Sequence, residues 1–404
     1  MSEWKEYRLG EIAELRSEKF TPNKDTSYPY IGLEHIEPKS LKLNGIGTSN
    51  DVSSQKSIFY PNDTLYGKLR PYFQKVISPN FKGVCSTDIF VVKPKKEVNH
   101  KFLFYLLATD EFTILANLGS TGTRMPRADW KHLKTTCWRI PDLPTQTAIA
   151  EILSSLDDKI ELNNKINQDL ENLAQTLFKQ WFIDFEFPNE NGEPYKSSGG
   201  EMVESELGEI PKGWEVQSLD KIADFLNGLA LQKFPADDEY DYLPVIKIRE
   251  LRQRDTSNSD KASIYIPQKY IIQNGDVLFS WSGSLLVDFW TNGKGALNQH
   301  LFKVTSSQFP KWYFYLWTQY HLSEFIKIAE SKATTMGHIQ RQHLTDAKVV
   351  VPNLLEFFDV CFDPIISKII TNRLENNELT TLRDTLLPKL ISGELEVSQI
   401  QTTS

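Results

Sequence analysis

The stretch TQTAIAEILSSLDDKIELNNKINQDLENLAQTLFKQWFID, residues 145–184, contains no glycine or proline and repeats its apolar residues with a helical period. As one helix it would be about 60 Å long at 1.5 Å per residue. A heptad fits it, with Ile149, Leu156, Asn163, Leu170 and Leu177 at position a and Ile152, Lys159, Ile166 and Leu173 at position d. Because such an apolar stripe is unstable in water, the sequence predicts a second helix packed against it.

The predicted partner helix lies near the C-terminus, where the same register returns. It places Phe358, Ile365, Asn372, Leu379 and Leu386 at a, with the less apolar Cys361, Lys368, Glu375 and Leu382 at d. Pro364 predicts an irregular beginning. Asn163 and Asn372 occupy equivalent a positions, where a buried asparagine commonly fixes the register; the alternative is that both are solvated at a loose point. We expect an antiparallel pair with a pseudo-two-fold axis, which sends the globular parts to opposite ends.

The two halves of the chain share motifs at an offset of about 210 residues. Trp4-x4-Leu9-x2-Ile12-Ala13 recurs as Trp214-x4-Leu219-x2-Ile222-Ala223, and Asp63-x-Leu65-Tyr66 recurs as Asp276-x-Leu278-Phe279. The matches continue through Met125 and Met336 to the two helices. An ancient duplication explains this constancy better than coincidence does.

The sequence therefore predicts an α+β protein with two similar α/β globular domains and two long antiparallel coiled-coil helices. Each half begins with short β-like runs separated by Gly, Pro and Asn, followed by its helix. The predicted boundaries are a first globular domain at 1–144, a central helix at 145–184, a Gly/Ser/Glu-rich surface linker at 185–210, a second globular domain at 211–352 and a C-terminal helix at 353–395.

The net charge of −8 over 404 residues is distributed unevenly. Residues 1–146 carry +5, residues 147–208 carry −9, residues 209–355 are neutral and residues 356–404 carry −4. The acidity thus falls on the helices and linker, which leaves the globular segments suited to a polyanion. Three scattered cysteines, an N-terminus without an apolar core and a longest apolar run of only 102–108 predict a soluble cytoplasmic protein without a membrane span.

Motifs that would indicate an enzyme are absent. The chain has no GxxxxGK[ST], no dinucleotide fingerprint, no HExxH and no Pro-Pro dipeptide, so the Asn/Asp-Pro-Pro-aromatic motif of amino-methyltransferases is missing. We expect no catalytic residue and no metal site. Pro141-Asp142 followed by Asp157-x-Lys159 imitates a nuclease, but the second pair lies inside the predicted helix, where it cannot converge on a metal from sheet strands.

Polar loops of both globular segments carry chemistry that suits DNA, although any one of these residues is equally explained as a solvated surface group. Arginine can fork onto guanine or phosphate, whereas lysine offers a point charge. The first-half candidates are Lys68, Arg70, Tyr72 and Lys75 in YGKLRPYFQK, and Thr121, Arg124 and Arg127 in the loop at 119–127. The second-half candidates are Trp281 and Ser282 in FSWSGSLLVD, Lys332, Thr335, His338, Gln340 and Arg341 in the loop at 330–341, and Arg249 and Arg252 after an apolar strand. Similar frameworks with dissimilar loops are what two different half-sites require.

The sequence resembles the DNA-specificity subunit of type I restriction–modification systems. Besides the repeated Trp-x4-Leu-x2-Ile-Ala opening, the resemblance rests on YPYIGLEHI (28–36), NDTLYGKLRPY (62–72), IPDLPTQ (140–146), LFKQWFIDF (177–185), LGEIPKGW (207–214) and TLLPKLISGEL (385–395). The second half departs from it, since residues 280–284 replace the Gly-Lys-x-Arg-Pro loop. The resemblance covers nearly the whole chain.

The resemblance implies a non-catalytic chain whose two target-recognition domains each read one half of a split, asymmetric site in double-stranded DNA. The helices would act as a ruler and dock two methyltransferase subunits, which two motor-nuclease restriction subunits join. S-adenosylmethionine, ATP and Mg²⁺ would belong to those partners, with no cofactor in this chain, and the assembly would methylate adenine N6 or cleave DNA. The alternatives are a coiled-coil scaffold that does not read DNA sequence and, less consistent with the motifs, a stand-alone DNA-modifying enzyme.

Overall fold

The computed structural model describes residues 3–23, 25–95, 97–122, 124–331 and 337–401. The chain divides into two compact units. The first unit comprises residues 1–160 and 379–404, and the second comprises residues 161–378. Each unit contains one α/β lobe and a segment of each of two long helices.

The described residues of the first lobe form small sheets and short helices. Its strands are β1 (Lys5–Arg8), β2 (Ala13–Leu15), β3 (Lys19–Phe20), β4 (Pro29–Ile31), β5 (Gly47–Thr48), β6 (Lys56–Phe59), β7 (Thr64–Gly67), β8 (Val76–Ile77), β9 (Gly83–Cys85), β10 (Ile89–Pro94) and β11 (Cys137–Ile140). Its helices are α1 (Leu9–Ile12), α2 (His100–Leu107), α3 (Asp110–Leu118) and α4 (Trp130–Leu133). The strands form a β1–β11 pair, a four-stranded sheet β2-β10-β7-β8 and a five-stranded sheet β3-β6-β9-β4-β5.

Helices α2 and α3 close the core of the first lobe, and polar side chains fix where each begins. The Asn99 side chain accepts hydrogen bonds from the backbone N–H groups of Lys101 and Phe102, and the Thr109 hydroxyl accepts one from that of Phe112. These caps satisfy N–H groups that have no partner inside a helix. Both helices bury apolar side chains in a core that also contains Ile149, Ala150 and Leu153 of the first long helix.

The first long helix, α5 (Leu143–Phe178), continues into a π-helical turn at Lys179–Ile183. Asp142 precedes it and accepts a hydrogen bond from the backbone N–H of Thr145 at 3.1 Å. The helix that was predicted over residues 145–184 is therefore present with slightly different ends.

The lobe of the second unit repeats this architecture. Its strands are β12 (Met202–Ser205), β13 (Gly208–Pro211), β14 (Glu215–Ser218), β15 (Asp224–Asn227), β16 (Leu243–Ile246), β17 (Lys261–Ala262), β18 (Ile271–Ile272), β19 (Val277–Ser280), β20 (Leu286–Phe289), β21 (Gly295–Leu297), β22 (Leu301–Thr305) and β23 (Lys348–Val351). Its helices are α6 (Leu219–Ile222), α7 (Ile248–Gln253), α8 (Lys311–Ser331) and α9 (Arg341–Asp346). Sheet β15-β22-β19-β20 matches β2-β10-β7-β8 of the first lobe, and the pair β14–β23 matches β1–β11. The topology thus confirms the predicted duplication.

The second long helix, α10 (Glu356–Ser392), is followed by α11 (Val397–Gln401). The irregular beginning expected at Pro364 is not seen, since α10 runs through it. Proline removes one backbone hydrogen bond there, while Phe362, Ile365 and Ile366 on either side are buried and hold the helix in place.

The two long helices contact each other within each unit and run antiparallel. In the second unit the Asn163 side chain donates to Asn376, and the Asn372 side chain donates to Asn167, both at 2.9 Å. Numbering rises along one helix as it falls along the other. In the first unit Arg383 donates to Asp157. The prediction of antiparallel helices is confirmed.

The seam between the helices differs from the predicted a/d pattern. Position d is poorly covered, since Leu173 and Leu382 are 46% exposed. The buried residues instead follow a by four positions, which is position e: Leu153, Ile160, Asn167, Ala174, Phe362, Ile369, Asn376, Arg383 and Leu390. The predicted heptad period is confirmed, but the second buried stripe lies at e, one residue later than the predicted d.

The segment at 185–210, predicted as a surface linker, contains local structure and joins a core. It contains the β12–β13 hairpin, and its first residues join the core of the second unit. The rings of Phe185 and Phe187 lie 5.8 and 5.0 Å from that of Trp214. Trp181, Phe182 and Trp214 are buried in the same cluster, where they pack the core of the second unit.

Candidate nucleic-acid interface

The two candidate loops of the first lobe lie side by side. One follows strand β7 and the other precedes helix α4. The backbone N–H of Arg70 donates to the carbonyl of Pro126 at 2.7 Å, and that of Ala128 donates to the carbonyl of Lys68 at 2.9 Å. The Lys68 N–H donates to the Asp88 carbonyl at 2.9 Å. Residues that are far apart in the sequence therefore form one surface.

The same three backbone contacts recur in the second lobe, at positions that the repeat makes equivalent. Strand β19 leads into one loop, and helix α9 follows the other. The equivalent hydrogen bonds are Gly283 N–H to Gly337 at 2.9 Å, Ile339 N–H to Trp281 at 3.0 Å and Trp281 N–H to His300 at 3.4 Å. The two lobes thus present different side chains on one shared backbone arrangement.

The candidate residues of the first lobe include exposed cations and an exposed aromatic ring. Arg70 and Arg124 are exposed, as is Tyr72, whose ring lies 4.7 Å from that of Phe73. Lys68 is half-buried, with Nζ 5.7 Å from the centre of the Phe90 ring. Thr121 is exposed, and its backbone pairs with that of Arg127. This surface can meet phosphates with charge and bases with rings.

Two of the predicted cations are engaged inside the first lobe. Lys75 donates from Nζ to the carbonyl of Leu33 at 2.5 Å, and burial lowers the pKa of its ammonium. Arg127 forks onto Asp88, with contacts of 3.0 and 3.3 Å, and hydrogen bonding to that carboxylate raises the pKa of Arg127. Lys75 is therefore half-buried and stabilises the loop through its bond to Leu33, whereas Arg127 is exposed but paired with Asp88.

The second lobe builds its loop around Trp281. The indole Nε1 donates to the Asn227 side chain at 3.0 Å, and the ring centre lies 6.0 Å from that of His300 and 6.3 Å from that of His338. Ser282 is 4% exposed, with its hydroxyl 3.0 Å from Nδ1 of His300. The Ser282 side chain is therefore buried against a histidine that precedes strand β22, and its contact with DNA stays a prediction.

The remaining candidates of the second lobe lie around this loop. Gln340 is exposed before α9, and Arg341 donates to the Phe225 carbonyl at 3.1 Å. Arg252 is exposed on α7, whereas Arg249 on the same helix bonds the Glu250 carboxylate and the Asn258 carbonyl. Lys332 and Thr335 lie outside the described residues.

Four polar residues beside these loops were missed by the sequence analysis: Asp88, Asn227, Gln299 and His300. The repeat itself contains the signal for two of them. Asp88-Ile-Phe90 and His300-Leu-Phe302 stand 212 residues apart. Asp88 immediately precedes strand β10, and His300 immediately precedes strand β22. Extending the repeat beyond the apolar residues would have identified Asp88 and His300 as equivalent.

The nuclease-like pattern has a structural role. Asp142 caps α5, while Asp157 accepts hydrogen bonds from the Tyr105 hydroxyl at 2.6 Å and from Arg383 at 2.8 Å. Within the described part of the chain, no cluster of three or more His, Cys, Asp or Glu side chains is arranged to hold a metal ion. Across the same ranges no helix has the length and apolarity needed to cross a membrane.

Comparison with known proteins gives a consistent result. The family described as "Type I restriction modification DNA specificity domain" matches residues 1–172 and 211–387. The HindI specificity subunit of Haemophilus influenzae is 27% identical over 462 aligned residues, which cover 98% of this chain and 100% of that protein. The MjaIX specificity subunit of Methanocaldococcus jannaschii is 28% identical, covering 98% of this chain and 89% of that protein.

A solved structure supports the fold alone. The crystal structure of the type I restriction–modification S subunit from M. genitalium matches with a TM-score of 0.54 and 14% identity, covering 96% of each chain. Since the family match takes in both lobes and most of both long helices, the chain belongs to the type I restriction–modification DNA-specificity family, as a non-catalytic subunit with two target-recognition domains that recognise DNA sequence.

Proposed function

We propose that each lobe reads one half of a bipartite, asymmetric site in double-stranded DNA, and that the two half-sites differ in sequence. The observation that carries this proposal is the pair of equivalent loops. Three backbone hydrogen bonds recur at equivalent positions, but Lys68, Arg70 and Arg127 in one lobe correspond to Trp281, Gly283 and His338 in the other. A shared backbone positions each lobe on the duplex in the same way, while different side chains select different bases.

The chemistry of the two surfaces favours different readouts. Arg70 and Arg124 in the first lobe suit phosphate oxygens or the O6/N7 edge of guanine. In the second lobe, Trp281 and His338 offer a ring and an imidazole, and Gln340 offers an amide suited to an adenine edge. Lys68, Tyr72, Thr121 and Arg127 complete the proposed contacts of the first lobe, and Arg249, Arg252, Lys332, Thr335 and Arg341 complete those of the second. Lys75 and Ser282 are retained only as supports of their loops.

We also propose that helices α5 and α10 set the gap between the half-sites and dock the protein partners. Their acidic surface would repel phosphate, which favours protein contact over DNA contact. The proposed assembly contains two methyltransferase subunits, which bind S-adenosylmethionine, and two restriction subunits, which use ATP and Mg²⁺, in the cytoplasm. In this proposal residues 1–144 and 211–352 are the recognition domains, 145–184 and 353–395 are the spacer helices, and 185–210 link the halves.

An exchange experiment tests the proposal. Residues 15–140 are replaced by the corresponding segment of a relative, and the variant is assembled with methyltransferase subunits. The expected result is a changed sequence in one half of the methylated site and an unchanged second half. If both halves stay the same, the lobe does not read DNA, and the scaffold alternative gains. Methyl transfer or DNA cleavage by the purified chain alone would revive the enzyme alternative.

A further inference from the structure

A single buried arginine joins three elements of the second unit. Arg373, on α10, is 7% exposed at its side chain. Its Nη1 donates to Asp288 on β20 at 2.6 Å, and its Nη2 donates to Glu171 on α5 at 2.8 Å. Both long helices are therefore tied by one guanidinium to a strand of the lobe.

The strand that Arg373 holds belongs to the hairpin with the candidate reading loop. We call β19, β20 and the connecting residues 281–285 the reading hairpin. Asp288 on β20 pairs with Leu278 on β19, three residues before Trp281. Asp288 also accepts two hydrogen bonds from Arg254, at 2.6 and 3.1 Å. Ionic contacts thus run from the helix pair through the hairpin to the end of α7.

The charge on Arg373 is retained despite its burial. Burial opposes the charged form, but the adjacent carboxylates of Asp288 and Glu171 outweigh it and raise the pKa of Arg373. Removal of one partner of a buried ion pair leaves an uncompensated charge, so the remaining groups must rearrange or become hydrated. The contact therefore favours a single arrangement of the hairpin on the helices.

This anchor is absent from the shared scaffold of the two lobes. At the repeat-equivalent positions, Asn164 stands in place of Arg373 and Ile77 in place of Asp288. Ile77 pairs with Leu65 just as Asp288 pairs with Leu278. The first unit has a different contact, in which Asp157 accepts hydrogen bonds from Tyr105 and Arg383. At the equivalent positions of the second unit, Ile366 replaces Asp157 and Ala174 replaces Arg383. Each lobe therefore has a polar contact with the helices that the other lobe lacks.

We propose that Arg373 is a positioning residue that holds the reading hairpin at one angle to the helix pair, and so sets base discrimination at one half-site and the tolerated gap. This inference rests on the proposed function. Arginine suits the role because its planar fork serves two carboxylates at once, whereas a lysine ammonium is a single point of charge.

The test uses the chain assembled with methyltransferase subunits and a library of duplexes with both half-sites and the gap randomised. Three variants are compared with the native chain: Arg373→Gln, Arg373→Lys, and Arg373→Asn combined with Asp288→Ile. The last installs the pair that the first lobe already carries, which makes it the variant designed to remain folded. Arg383→Gln, in the first unit, is the matched variant of the other anchor.

The expected result is a loss of about tenfold in base discrimination at one half-site, comparable to the effect of one mismatched base pair. A wider range of accepted gaps accompanies it, and Arg373→Lys lies between Arg373→Gln and the native chain. Arg383→Gln has its effect at the opposite half-site. Thermal unfolding of each complex is followed in parallel.

Two outcomes overturn the inference. One is unchanged discrimination and gap in all Arg373 variants, while the native complex methylates a bipartite site. The other is an equal loss at both half-sites that follows the melting temperature, because this marks a general structural role. If the native complex itself selects no bipartite site, the proposed function has failed rather than the inference about Arg373.

Discussion

The two lobes have equivalent backbones and different polar chemistry. Strand β7 with its loop and strand β19 with its loop occupy equivalent places in their sheets, and Arg70 and Gly283 have left-handed φ angles of 51° and 65°. Yet one loop carries arginine at that position and the other carries no side chain. Duplication preserved the groups that define the backbone, and the two surfaces diverged where side chains face outward.

The comparison also applies to the helices, where one part of the duplication is nearly symmetric. The offset of 209 residues relates Asn163 to Asn372 and Asn167 to Asn376. It therefore exchanges the hydrogen-bonded pair Asn163–Asn376 with the pair Asn372–Asn167, so the local pseudo-two-fold axis passes between the two pairs. All four side chains are buried, which excludes the alternative that Asn163 and Asn372 are solvated. Their role in fixing the register stays a prediction.

The largest effect is expected from lengthening both helices. An insertion of four residues at equivalent points of α5 and α10 adds about 6 Å of helix. We expect the preferred gap between half-sites to grow by one or two base pairs while both half-site sequences stay the same. The measurement is the methylated motif of the assembled complex. A variant that stays folded and keeps the original gap would show that the helices do not set it.

A smaller effect, on DNA affinity, is expected from removing Arg70, the cation that the first-lobe loop carries where the second-lobe loop has Gly283. Arg70→Ala should weaken DNA binding by the assembled complex about tenfold and lower the slope of log affinity against log salt by about 1, because one phosphate or base-edge contact is lost. Affinity is measured at several salt concentrations. Lys75→Ala, which removes an internally bonded cation, is the control expected to act through loop stability instead. Full-strength binding by Arg70→Ala at every salt concentration would remove Arg70 from the interface.

The reciprocal change sharpens the same comparison. Gly283→Arg places the side chain of the first lobe on the equivalent residue of the second, and Arg70 demonstrates that arginine can adopt this left-handed conformation here. We expect non-specific DNA affinity to rise and the salt slope to steepen by about 1. An unchanged slope would place this loop away from the phosphates.

The smallest effect concerns the asparagine pairs. Asn163→Ala and Asn372→Ala should each lower the free energy of unfolding by about 1–3 kcal/mol, because a buried partner loses its hydrogen bond. Asn163 should cost more, since it also donates to the Glu375 carboxylate at 2.9 Å. Denaturant unfolding measures both, with exposed Asn172→Ala as the control. Equal stability of all three variants would contradict a structural role for the pairs.

The architecture was predictable because it depends on periodicity. Apolar residues at a constant offset predicted the duplication, and a glycine-free heptad segment predicted the long helices. Periodicity does not reveal which polar groups meet in space. Asp157 with Arg383, and Arg373 with Asp288, are 226 and 85 residues apart in sequence and come together only in the folded unit. The same reason applies to part of the e stripe, since Asn167, Asn376 and Arg383 are buried together with the distant polar partners Asn372, Asn163 and Asp157.

The candidate site was predictable at the level of loops. The first-lobe loops at 66–75 and 119–127 do lie together, and so do Trp281 and His338. The state of each side chain was not predictable. Lys75, Arg127 and Ser282 each form an internal contact, with Leu33, Asp88 and His300 respectively, and that contact depends on neighbouring strands.

We propose that one chain places two unlike reading surfaces on a single duplex. This proposal is tested most directly by sequencing methylated adenines in cells that express this chain with its methyltransferase partner, and in cells that lack this chain. The expected result is a methylated motif of two different half-sites with a constant gap, present only with the chain. A continuous or palindromic motif, or one that persists without the chain, would contradict it.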